Sequence, residues 1–411
     1  MSLNSTPSSE RVHIGFFGRR NAGKSSVVNA VTGQDLAVVS DTAGTTTDPV
    51  YKSMELLPLG PVVIMDTPGF DDVGSLGQLR VRKTRLVLNR ADLAILVVDA
   101  SAGLQECDRQ LISIFREKEI PFLVALNKSD LIAMNDRKTE YPEGLDEEHC
   151  LYVSALKDVN IHELKERIGR MIPESDGKTR LIGDLLQPDD LAVLVIPIDK
   201  AAPKGRLILP EQQTIRDILD ADAMTMVVKE DRLASALSKL GRTPACVVTD
   251  SQVFASVAKT VPETIPLTSF SILMARYKGF LENAVRGVRT VDRLCDGDKI
   301  LISEGCTHHR QCNDIGTVKI PKWIRDYTGK EIVFHTTSGT EFPEDVSGYR
   351  LVLHCGACML NDREVRYRMK STLDQGVPFT NYGTLIAYIH GILPRALSLF
   401  PELQELLKEE K

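Results

Sequence analysis

The sequence predicts an α/β protein made of three successive domains. Apolar runs of strand length alternate with helical patterns along most of the chain, which is typical of parallel sheets covered by helices. A polar stretch past Pro173 separates the first unit from the second, and a third unit starts near Thr264. A length of 411 residues suits about three domains. We therefore expect domains at residues 8–173, 180–262 and 264–411.

The composition is that of an ordinary globular protein, with 43% hydrophobic and 26% charged residues. A net charge of −6 disfavours a general nucleic-acid binder, and no apolar run approaches the roughly 20 residues of a membrane helix. The polar start lacks the apolar core of a secretory signal, and eight scattered cysteines indicate a reducing cytoplasm. Four of them lie singly and are interpreted as core or near-surface residues: Cys107, Cys150, Cys246 and Cys295.

A complete phosphate-binding loop follows the first predicted strand, Val12–Phe17. The loop Gly18–Ser25 leads into an apolar helix, so backbone N–H groups and the helix N-terminus face a bound phosphate. Lys24 would bridge the terminal phosphates, and the Ser25 hydroxyl would bind Mg²⁺. The predicted nucleotide contacts of this loop are Gly18, Asn21, Ala22, Gly23, Lys24, Ser25 and Ser26.

Two further segments complete the predicted phosphate and magnesium site. A buried strand ends at Asp66, which would hold Mg²⁺ through water, while the Gly69 N–H would contact the γ-phosphate. The Gly/Thr-rich loop Gly44–Asp48 is interpreted as the first switch, in which a Thr caps Mg²⁺. By resemblance to related GTPases, Thr46 is the best candidate and Thr45 the alternative.

The base-binding residues predict guanine as the nucleotide base. Two apolar strands, Leu93–Val98 and Pro121–Leu126, are typical of a sheet buried on both faces. The second runs into Asn127, Lys128 and Asp130, where a carboxylate can accept both the ring N–H and the exocyclic amine of guanine. Ser154 and Ala155 follow the last strand as a base-contacting turn, in which Leu156 replaces the usual Lys.

This first domain resembles the tRNA-modifying and Era-type group of GTPases, which share the Gly-Thr-Thr switch. In that group an Asn at the position of Asn21 supports a potassium ion, although an Asn in a Gly-rich loop also stabilises the turn by itself. Phe70 stands where many small GTPases have a water-orienting Gln, so we expect slow intrinsic hydrolysis. The predicted catalytic residues are Lys24, Asn21, Thr46, Asp66 and Gly69.

The second domain repeats strand and helix patterns from Leu191 onward without a catalytic constellation. Predicted strands at 191–196, 224–228 and 245–249 alternate with helices at 211–220, 231–240 and 251–259. This pattern predicts a small parallel sheet with exposed edges. An extra domain without chemistry most often makes a subunit contact, so we expect a homodimer.

Two short groups of ligand residues in the third domain predict a metal centre. Cys306 and His308 follow the predicted strand Lys299–Ser303, and His354, Cys355 and Cys358 follow the predicted strand 349–353. The two-residue gap between the last two thiols lets both bind one metal centre from a single turn. A structural zinc and an iron–sulfur cluster fit these donors equally well on spacing alone.

The remaining third-domain pattern is mainly helical. Helical spacing holds from Phe270 to Arg293, a helix starts at Pro321, and a strand is expected at 331–334. The tail from Asn361 is expected to be helical, broken at prolines 378 and 394.

The whole chain resembles the HydF family of FeFe-hydrogenase maturation GTPases. The resemblance covers the GTPase motifs, Cys306-Thr-His-His309, Asp314-Ile-Gly316, Lys319-Ile-Pro-Lys-Trp323 and His354-Cys-Gly-Ala-Cys358. It implies a GTP-hydrolysing scaffold with a 4Fe-4S cluster, GTP and Mg²⁺, and a diiron precursor received with two radical-SAM maturases and delivered to apo FeFe-hydrogenase.

The same resemblance implies the ligand set of the cluster. Cys306, Cys355 and Cys358 are the implied ligands, and His308 and His354 are the candidates for an exchangeable fourth position. Cys312 lies outside the motif and is interpreted as a loop thiol. The rival hypotheses are a GTPase of tRNA modification or ribosome assembly with a structural zinc, and a metal-dependent redox sensor with GTP as its output.

Overall fold

The computed structural model describes residues 6–33, 49–56, 59–67, 84–132, 145–172, 179–198, 207–305 and 314–409. The chain divides into two compact units, Met1–Asp176 and Gly177–Lys411. No helix in these described ranges has the length and apolarity required to traverse a lipid bilayer.

The first unit contains a six-stranded sheet in the order β2-β3-β1-β4-β5-β6. Strand β2 is antiparallel to β3, and every other neighbouring pair is parallel. The strands are β1 Val12–Gly18, β2 Val50–Leu56, β3 Gly60–Asp66, β4 Leu93–Asp99, β5 Phe122–Asn127 and β6 Cys150–Tyr152, and the helices are α1 Lys24–Thr32, α2 Glu106–Glu117 and α3 Ile161–Met171.

Both faces of the sheet are buried along the strands β1, β3, β4 and β5, which explains why these strands are mainly apolar without alternation. The edge strand β2 is mostly exposed. Ile14 and Phe16 of β1 belong to one core layer, which they share with Val27 of α1. Phe17 belongs to the opposite layer, where its ring lies 5.4 Å from that of Phe115 on α2. The carboxyl ends of the parallel strands therefore meet at one edge, where the phosphate loop and the base-binding loops begin.

The second unit contains two four-stranded sheets that are parallel throughout, in the orders β10-β9-β7-β8 and β12-β11-β13-β14. Their strands are β7 Leu191–Val195, β8 Met224–Val228, β9 Cys246–Thr249, β10 Leu267–Ser269, β11 Lys299–Glu304, β12 Val333–Ser338, β13 Leu351–His354 and β14 Phe379–Asn381. The helices are α4 Leu209–Leu219, α5 Leu233–Lys239, α6 Phe254–Thr260, α7 Phe270–Tyr277, α8 Leu281–Val288, α9 Ile320–Thr328, α10 Asp362–Asp374, α11 Tyr382–Ile389, α12 Leu393–Ala396 and α13 Pro401–Glu409.

A single hydrophobic core runs through both sheets of the second unit. It includes Val247 of β9, Leu273 of α7 and Ile302 of β11. Strand β10, which lies past the expected start of the third domain, pairs with β9 and forms an edge of the first of these sheets. The three predicted domain ranges stay predictions, but the core is continuous across the expected boundary at 262–264.

The secondary structure differs from the sequence-based expectation at several places. The expected helical stretch from Phe270 to Arg293 consists of two helices, α7 and α8, because Gly279 adopts a left-handed φ of 76° after the first one. The tail contains the strand β14 as well as helices. Strands β10 and β14 have three residues each, too few for an apolar alternation to show.

Candidate functional site

The phosphate loop connects β1 to α1, and two of its glycines are required by close contacts. A Cβ on Gly18 would lie 2.3 Å from the Val97 carbonyl oxygen, and one on Gly23 would lie 2.2 Å from Asn127 Nδ2. Both glycines also have positive φ angles, 147° and 84°. The backbone therefore approaches its neighbours as closely as a loop must if its N–H groups are to surround a phosphate.

Lys24 is the first residue of α1, and its Nζ lies 2.6 Å from Oδ1 of Asp66 at the end of β3. Ser25 and Ser26 follow in the first turn of α1, where backbone N–H groups lack helical partners. The structure thus brings together the lysine predicted to contact the phosphates and the carboxylate predicted to hold Mg²⁺, and Ser25 is the next residue along α1. Asn21 adopts a left-handed φ of 62°. Asn tolerates this conformation, so Asn21 can stabilise the turn by itself, and the backbone does not decide between this role and support of a potassium ion.

Asn127 joins the phosphate loop to the base-binding turn. Its Nδ2 donates to the Ala22 carbonyl at 3.0 Å, and its Oδ1 accepts from the Ala155 N–H at 3.1 Å. Asp130 accepts a 2.6 Å hydrogen bond from the Ser154 hydroxyl, which orients the carboxylate beside the turn. The predicted guanine residues therefore lie within one hydrogen-bonded group at the ends of β5 and β6.

Lys128 has a partner that the sequence-based prediction missed. Its Nζ lies 2.6 Å from Oδ2 of Asp99, the last residue of β4. Partial burial opposes ionisation of Asp99, but the hydrogen bonds and charge of Lys128 outweigh it and hold the pKa of that carboxyl below its usual range. The only sequence pattern that could have predicted this contact is the position of Asp99, a polar residue directly after the apolar run 93–98.

Several predicted site residues lie outside the described residues. They are the switch residues Thr45 and Thr46, the γ-phosphate contact Gly69, the neighbouring Phe70, and the metal-site residues Cys306, His308 and Cys312. The predictions for them stay predictions.

Cys355 follows the end of β13 and lies beside the end of the adjacent strand β11. Its N–H donates to the Ser303 carbonyl at 3.0 Å. Its sulfur accepts hydrogen bonds from the N–H groups of Gly305, at 3.1 Å, and Ala357, at 3.4 Å. The two strand ends that were predicted to converge on a metal site are therefore adjacent, and two backbone donors point at one thiol.

Two backbone features produce these N–H to sulfur contacts. Ala357 has a left-handed φ of 56°, a conformation rare for a residue with a Cβ, in the tight turn that brings its N–H within reach of the Cys355 sulfur. A Cβ on Gly305 would lie 2.8 Å from Cγ of Leu360 and 3.6 Å from the Cys355 sulfur. Only glycine can therefore bring its N–H this close without moving Leu360.

The donor set around Cys355 fits a metal centre that binds thiolates. Burial raises the pKa of the Cys355 thiol, and the N–H groups of Gly305 and Ala357 oppose that rise by stabilising the thiolate. No disulfide bond joins Cys355 to Cys358. Within the described part of the chain, no group of three or more His, Cys, Asp or Glu side chains is placed to hold a metal ion. Cys306 and His308 are needed to complete the predicted set.

His354 is fully buried, and both of its ring nitrogens have partners. Nδ1 lies 2.9 Å from the Cys355 carbonyl oxygen, and Nε2 lies 3.4 Å from Nη1 of Arg368 on α10. Burial and the charge of Arg368 lower the pKa of His354 to about 3, so the imidazole is neutral.

Other buried polar groups surround this edge of the sheet. Lys278 is 1% exposed, and its Nζ donates to the Leu360 carbonyl at 3.0 Å and to Asp362 at 2.8 Å. It thereby fixes the segment that follows Cys358. Glu304, also 1% exposed, accepts a 3.1 Å hydrogen bond from the Tyr382 hydroxyl. These contacts could not be predicted from local sequence patterns, since each joins residues far apart in the chain.

The single cysteines agree with their interpretation as core or near-surface residues. Cys150 and Cys246 are buried, and Cys295 is exposed. Burial raises the pKa of Cys150 to about 11 and that of Cys246 to about 12, so both remain thiols at neutral pH.

Comparison with known proteins identifies the parts of the chain. Residues 13–128 match the family model of 50S ribosome-binding GTPases. Residues 181–279 match the hydrogen maturase F dimerization domain, and residues 282–399 match the hydrogen maturase F tetramerization domain.

Two curated relatives are GTPases that match 30% and 38% of this chain. The tRNA modification GTPase MnmE of Desulforamulus reducens is 31% identical over 38% of this chain and 34% of that protein, and the GTPase Der of Maridesulfovibrio salexigens is 36% identical over 30% of this chain and 28% of that protein. The chain thus spans about a third of the length of the curated relatives it matches.

Among solved structures, Era of Aquifex aeolicus is 20% identical, with a TM-score of 0.35 over 56% of this chain and 98% of that one. The G domain of the FeoB iron transporter of T. maritima is 21% identical, with a TM-score of 0.29 over 40% of this chain and 100% of that one. Both scores lie below 0.5, so they add nothing to the sequence matches. The GTPase domain at the N-terminal end, followed by two successive segments specific to hydrogen maturase F, shows that the chain belongs to the hydrogen maturase F (HydF) family of GTPases.

Proposed function

We propose that this protein binds and hydrolyses GTP and serves as a cytoplasmic scaffold in FeFe-hydrogenase maturation. In this proposal it holds a 4Fe-4S cluster on Cys306, Cys355 and Cys358, accepts a diiron precursor with two radical-SAM maturases, and delivers the precursor to apo FeFe-hydrogenase. The observation that carries the proposal is the Cys355 thiol with two backbone N–H donors at 3.1 and 3.4 Å, in a chain of the HydF family.

Hydrogen bonds from backbone N–H groups to cysteine sulfurs support an iron–sulfur cluster because they stabilise the thiolates and set the reduction potential. A structural zinc would accept the same thiolates. The family membership favours the cluster. The alternative of a tRNA-modifying or ribosome-assembly GTPase is supported within the GTPase domain alone, since the second unit matches hydrogen maturase F segments.

A fourth position without a tightly bound protein ligand would suit the carrier role. An exchangeable ligand can be displaced by an incoming bridging group, whereas four thiolates would leave no place for cargo. His308 is the imidazole that remains as a candidate for this position, since the ring nitrogens of His354 already have partners. The cluster supplies a coordination site when bound, and the protein supplies its shape and its hydrogen bonds.

The GTPase part would act as a switch that reports the nucleotide state to partner proteins. Lys24 would contact the β- and γ-phosphates, Ser25 and Asp66 would hold Mg²⁺, and Asp130 would select guanine. Thr46, with Thr45 as alternative, and Gly69 would sense the γ-phosphate. A potassium ion beside Asn21 would accelerate a hydrolysis that is otherwise slow, because Phe70 cannot orient water.

The second unit would form the homo-oligomer, and its exposed edge strand suits a homodimer contact. β8 is the outer strand of its sheet, and Met224 and Val227 on it are 42% and 45% exposed. An unpaired apolar edge of this kind is a template for pairing with another strand. A second copy of the same strand would cover it across a two-fold axis.

Purification without oxygen tests the cluster. We expect iron and sulfide with visible charge-transfer absorption, and Cys355→Ser should remove both while it leaves GTP hydrolysis largely intact. Cys295→Ser, which changes an exposed single thiol, is the matched control and should retain the cluster. A colourless protein with stoichiometric zinc would contradict the proposal. A fall in GTPase rate for Cys355→Ser as large as that for Lys24→Ala would contradict separate sites.

A further inference from the structure

Arg368 is the largest fully buried side chain in the described residues, and its guanidinium is bonded on all sides. A cation without contact to water must be paired, because its desolvation costs several kcal/mol. Nε donates to Glu364 at 2.9 Å, one turn earlier on α10, and Nη2 donates to the Gly339 carbonyl at 2.7 Å. Nη1 donates to the Ser303 hydroxyl at 3.1 Å. The side chain therefore ties α10 to the ends of β11 and β12.

The fourth partner of Arg368 is His354, and the contact fixes which nitrogen of the imidazole carries the proton. A guanidinium can only donate, so Nε2 of His354 must accept from Nη1. Nδ1 must then carry hydrogen, and it donates to the Cys355 carbonyl oxygen at 2.9 Å. Neither nitrogen keeps a lone pair for a metal. Coordination by His354 would require Arg368 to leave a fully buried position.

These contacts fix both backbone polar groups of Cys355, its N–H and its carbonyl. The Ser303 carbonyl accepts from the Cys355 N–H, and the His354 ring donates to the Cys355 carbonyl. Arg368 contacts both of these supporting residues, Ser303 through its hydroxyl and His354 through its ring. One buried cation thus fixes the two strand ends between which the sulfur receives its N–H bonds.

We propose that Arg368 and His354 form a positioning pair that orients Cys355 for cluster binding, and that His354 itself is not a ligand. This inference rests on the proposed cluster function. It predicts that the pair acts through the orientation of Cys355, as hydrogen-bonding partners of metal ligands do elsewhere, where their loss costs about 10- to 100-fold in metal affinity.

Substitution of His354 separates ligation from positioning. In His354→Asn the amide nitrogen can replace Nδ1 as donor to the Cys355 carbonyl, while the position of Nε2 is lost. We expect full loading with iron and sulfide when both are supplied in excess during anaerobic reconstitution, but faster iron loss to a chelator than in the wild type, because the contact with Arg368 is gone. In protein labelled with ¹⁵N-histidine, pulsed electron paramagnetic resonance of the reduced cluster should show the same strongly coupled nitrogens as the wild type. Loss of a coupled nitrogen in His354→Asn would overturn the inference.

Substitution of Arg368 tests the supporting cation. We expect Arg368→Met to lower the thermal midpoint of the metal-free protein and to increase the rate of iron loss to a chelator about 10-fold. Arg368→Lys keeps the charge but reaches fewer acceptors, so its thermal midpoint and its rate of iron loss should lie between those of the wild type and Arg368→Met. The matched control is Arg395→Met. Arg395 donates to three carbonyls, those of Ala258, Val261 and Pro262, so its loss should lower the midpoint while iron retention stays unchanged.

A double-mutant cycle on metal-free protein distinguishes failure of this inference from failure of the cluster proposal. His354→Asn, Arg368→Lys and their combination should have non-additive effects on the free energy of unfolding, because the two side chains are in contact. Additive effects would overturn the pair whether or not the protein binds a cluster. If the wild type takes up no iron and sulfide while the cycle shows coupling, the proposed function fails and the contact stands.

Discussion

Nζ of Lys24 lies 2.6 Å from Oδ1 of Asp66, so the carboxylate at the end of β3 holds the ammonium of the phosphate loop. Both side chains are largely buried, with 11% and 9% of their surface exposed. Lys24, which would contact the phosphates, and Asp66, which would hold Mg²⁺, therefore form an ion pair with each other in the absence of nucleotide. Each is already at the position where the phosphate and the metal ion would meet.

Lys24→Ala should decrease GTP hydrolysis about 10²- to 10³-fold, the effect expected when one preorganised charge is removed from a transition state. Phosphate release under single-turnover conditions measures it. Lys52→Ala is the control, because Lys52 is an exposed lysine on β2 of the same unit. Equal rates for the two variants would contradict the role of Lys24.

Asp130→Asn should change base selectivity from guanine to xanthine. The amide can no longer accept two hydrogen bonds from guanine, but it can donate to the 2-oxo group of xanthine, so we expect about 10²-fold weaker GTP binding. Competition between labelled GDP and XDP measures the change. Ser154→Ala removes the hydroxyl that orients Asp130 and should weaken guanine binding less, without a change in preference.

Gly305→Ala should impair the cluster site at its backbone. The new Cβ would lie 2.8 Å from Cγ of buried Leu360, so the chain must shift, at a cost of about 1–3 kcal/mol. We expect lower iron content and a lower thermal midpoint of the metal-free protein. Gly348→Ala is the control, since a Cβ there meets no atom within 4 Å and the φ angle is not positive. Wild-type iron content in Gly305→Ala would show that the cluster site tolerates a Cβ at this position and the shift of Leu360 that it requires.

Glu211 predicts a pH dependence of stability in the second unit. It is 5% exposed, and burial raises its pKa from the ordinary 4.5 to about 7, against the opposing N–H of Ile208. The folded state therefore binds the proton more tightly than the unfolded state. Its stabilising effect is complete below pH 4.5 and is lost as the pH rises through about 7, on the order of 3 kcal/mol.

Glu211→Gln should flatten that dependence, because an amide can still accept the Ile208 N–H but does not ionise. Urea unfolding between pH 4.5 and 8 measures the difference between the two proteins. The variant should be more stable than the wild type at pH 8. Parallel curves for the two proteins would show that Glu211 has an ordinary pKa.

Val227→Lys should weaken the homodimer if β8 is its contact. A charge on an unpaired edge strand disfavours addition of another strand. Sedimentation of the variant should show monomers at concentrations where the wild type is dimeric. Val333→Lys on β12, the corresponding edge strand of the other sheet in the unit, is the control and should leave the dimer intact. A dimeric Val227→Lys protein would place the contact elsewhere.

Much of the fold could be predicted from the sequence because its strands are apolar runs of ordinary length. The predicted strand at 224–228 has the observed bounds of β8, and the phosphate-loop residues lie together as their motif implies. The position of β10 could not be predicted, because a three-residue strand gains its stability from its pairing with β9.

The surroundings of His354 are the clearest case of a contact that the sequence does not show. An imidazole next to a Cys-x-x-Cys pair is a natural ligand candidate in the sequence, and this stays a prediction. In the structure its Nε2 contacts a cation 14 residues later on α10, brought to it by the packing of that helix on the sheet. Lys128 and Asp99 are a second case, 29 residues apart and joined only by the neighbouring ends of β4 and β5. Contacts of this kind follow from tertiary structure and leave no local pattern.

The two parallel sheets of the second unit share one hydrophobic core, so we expect that neither sheet can fold without the other. A protease or a gene truncation that separated the segment ending near 262 from the rest would expose Val247 and Leu273 together, and neither fragment should persist as a native species. Recombination during evolution would meet the same obstacle. The two matched segments of this unit, 181–279 and 282–399, are therefore expected to be inherited, expressed and lost together.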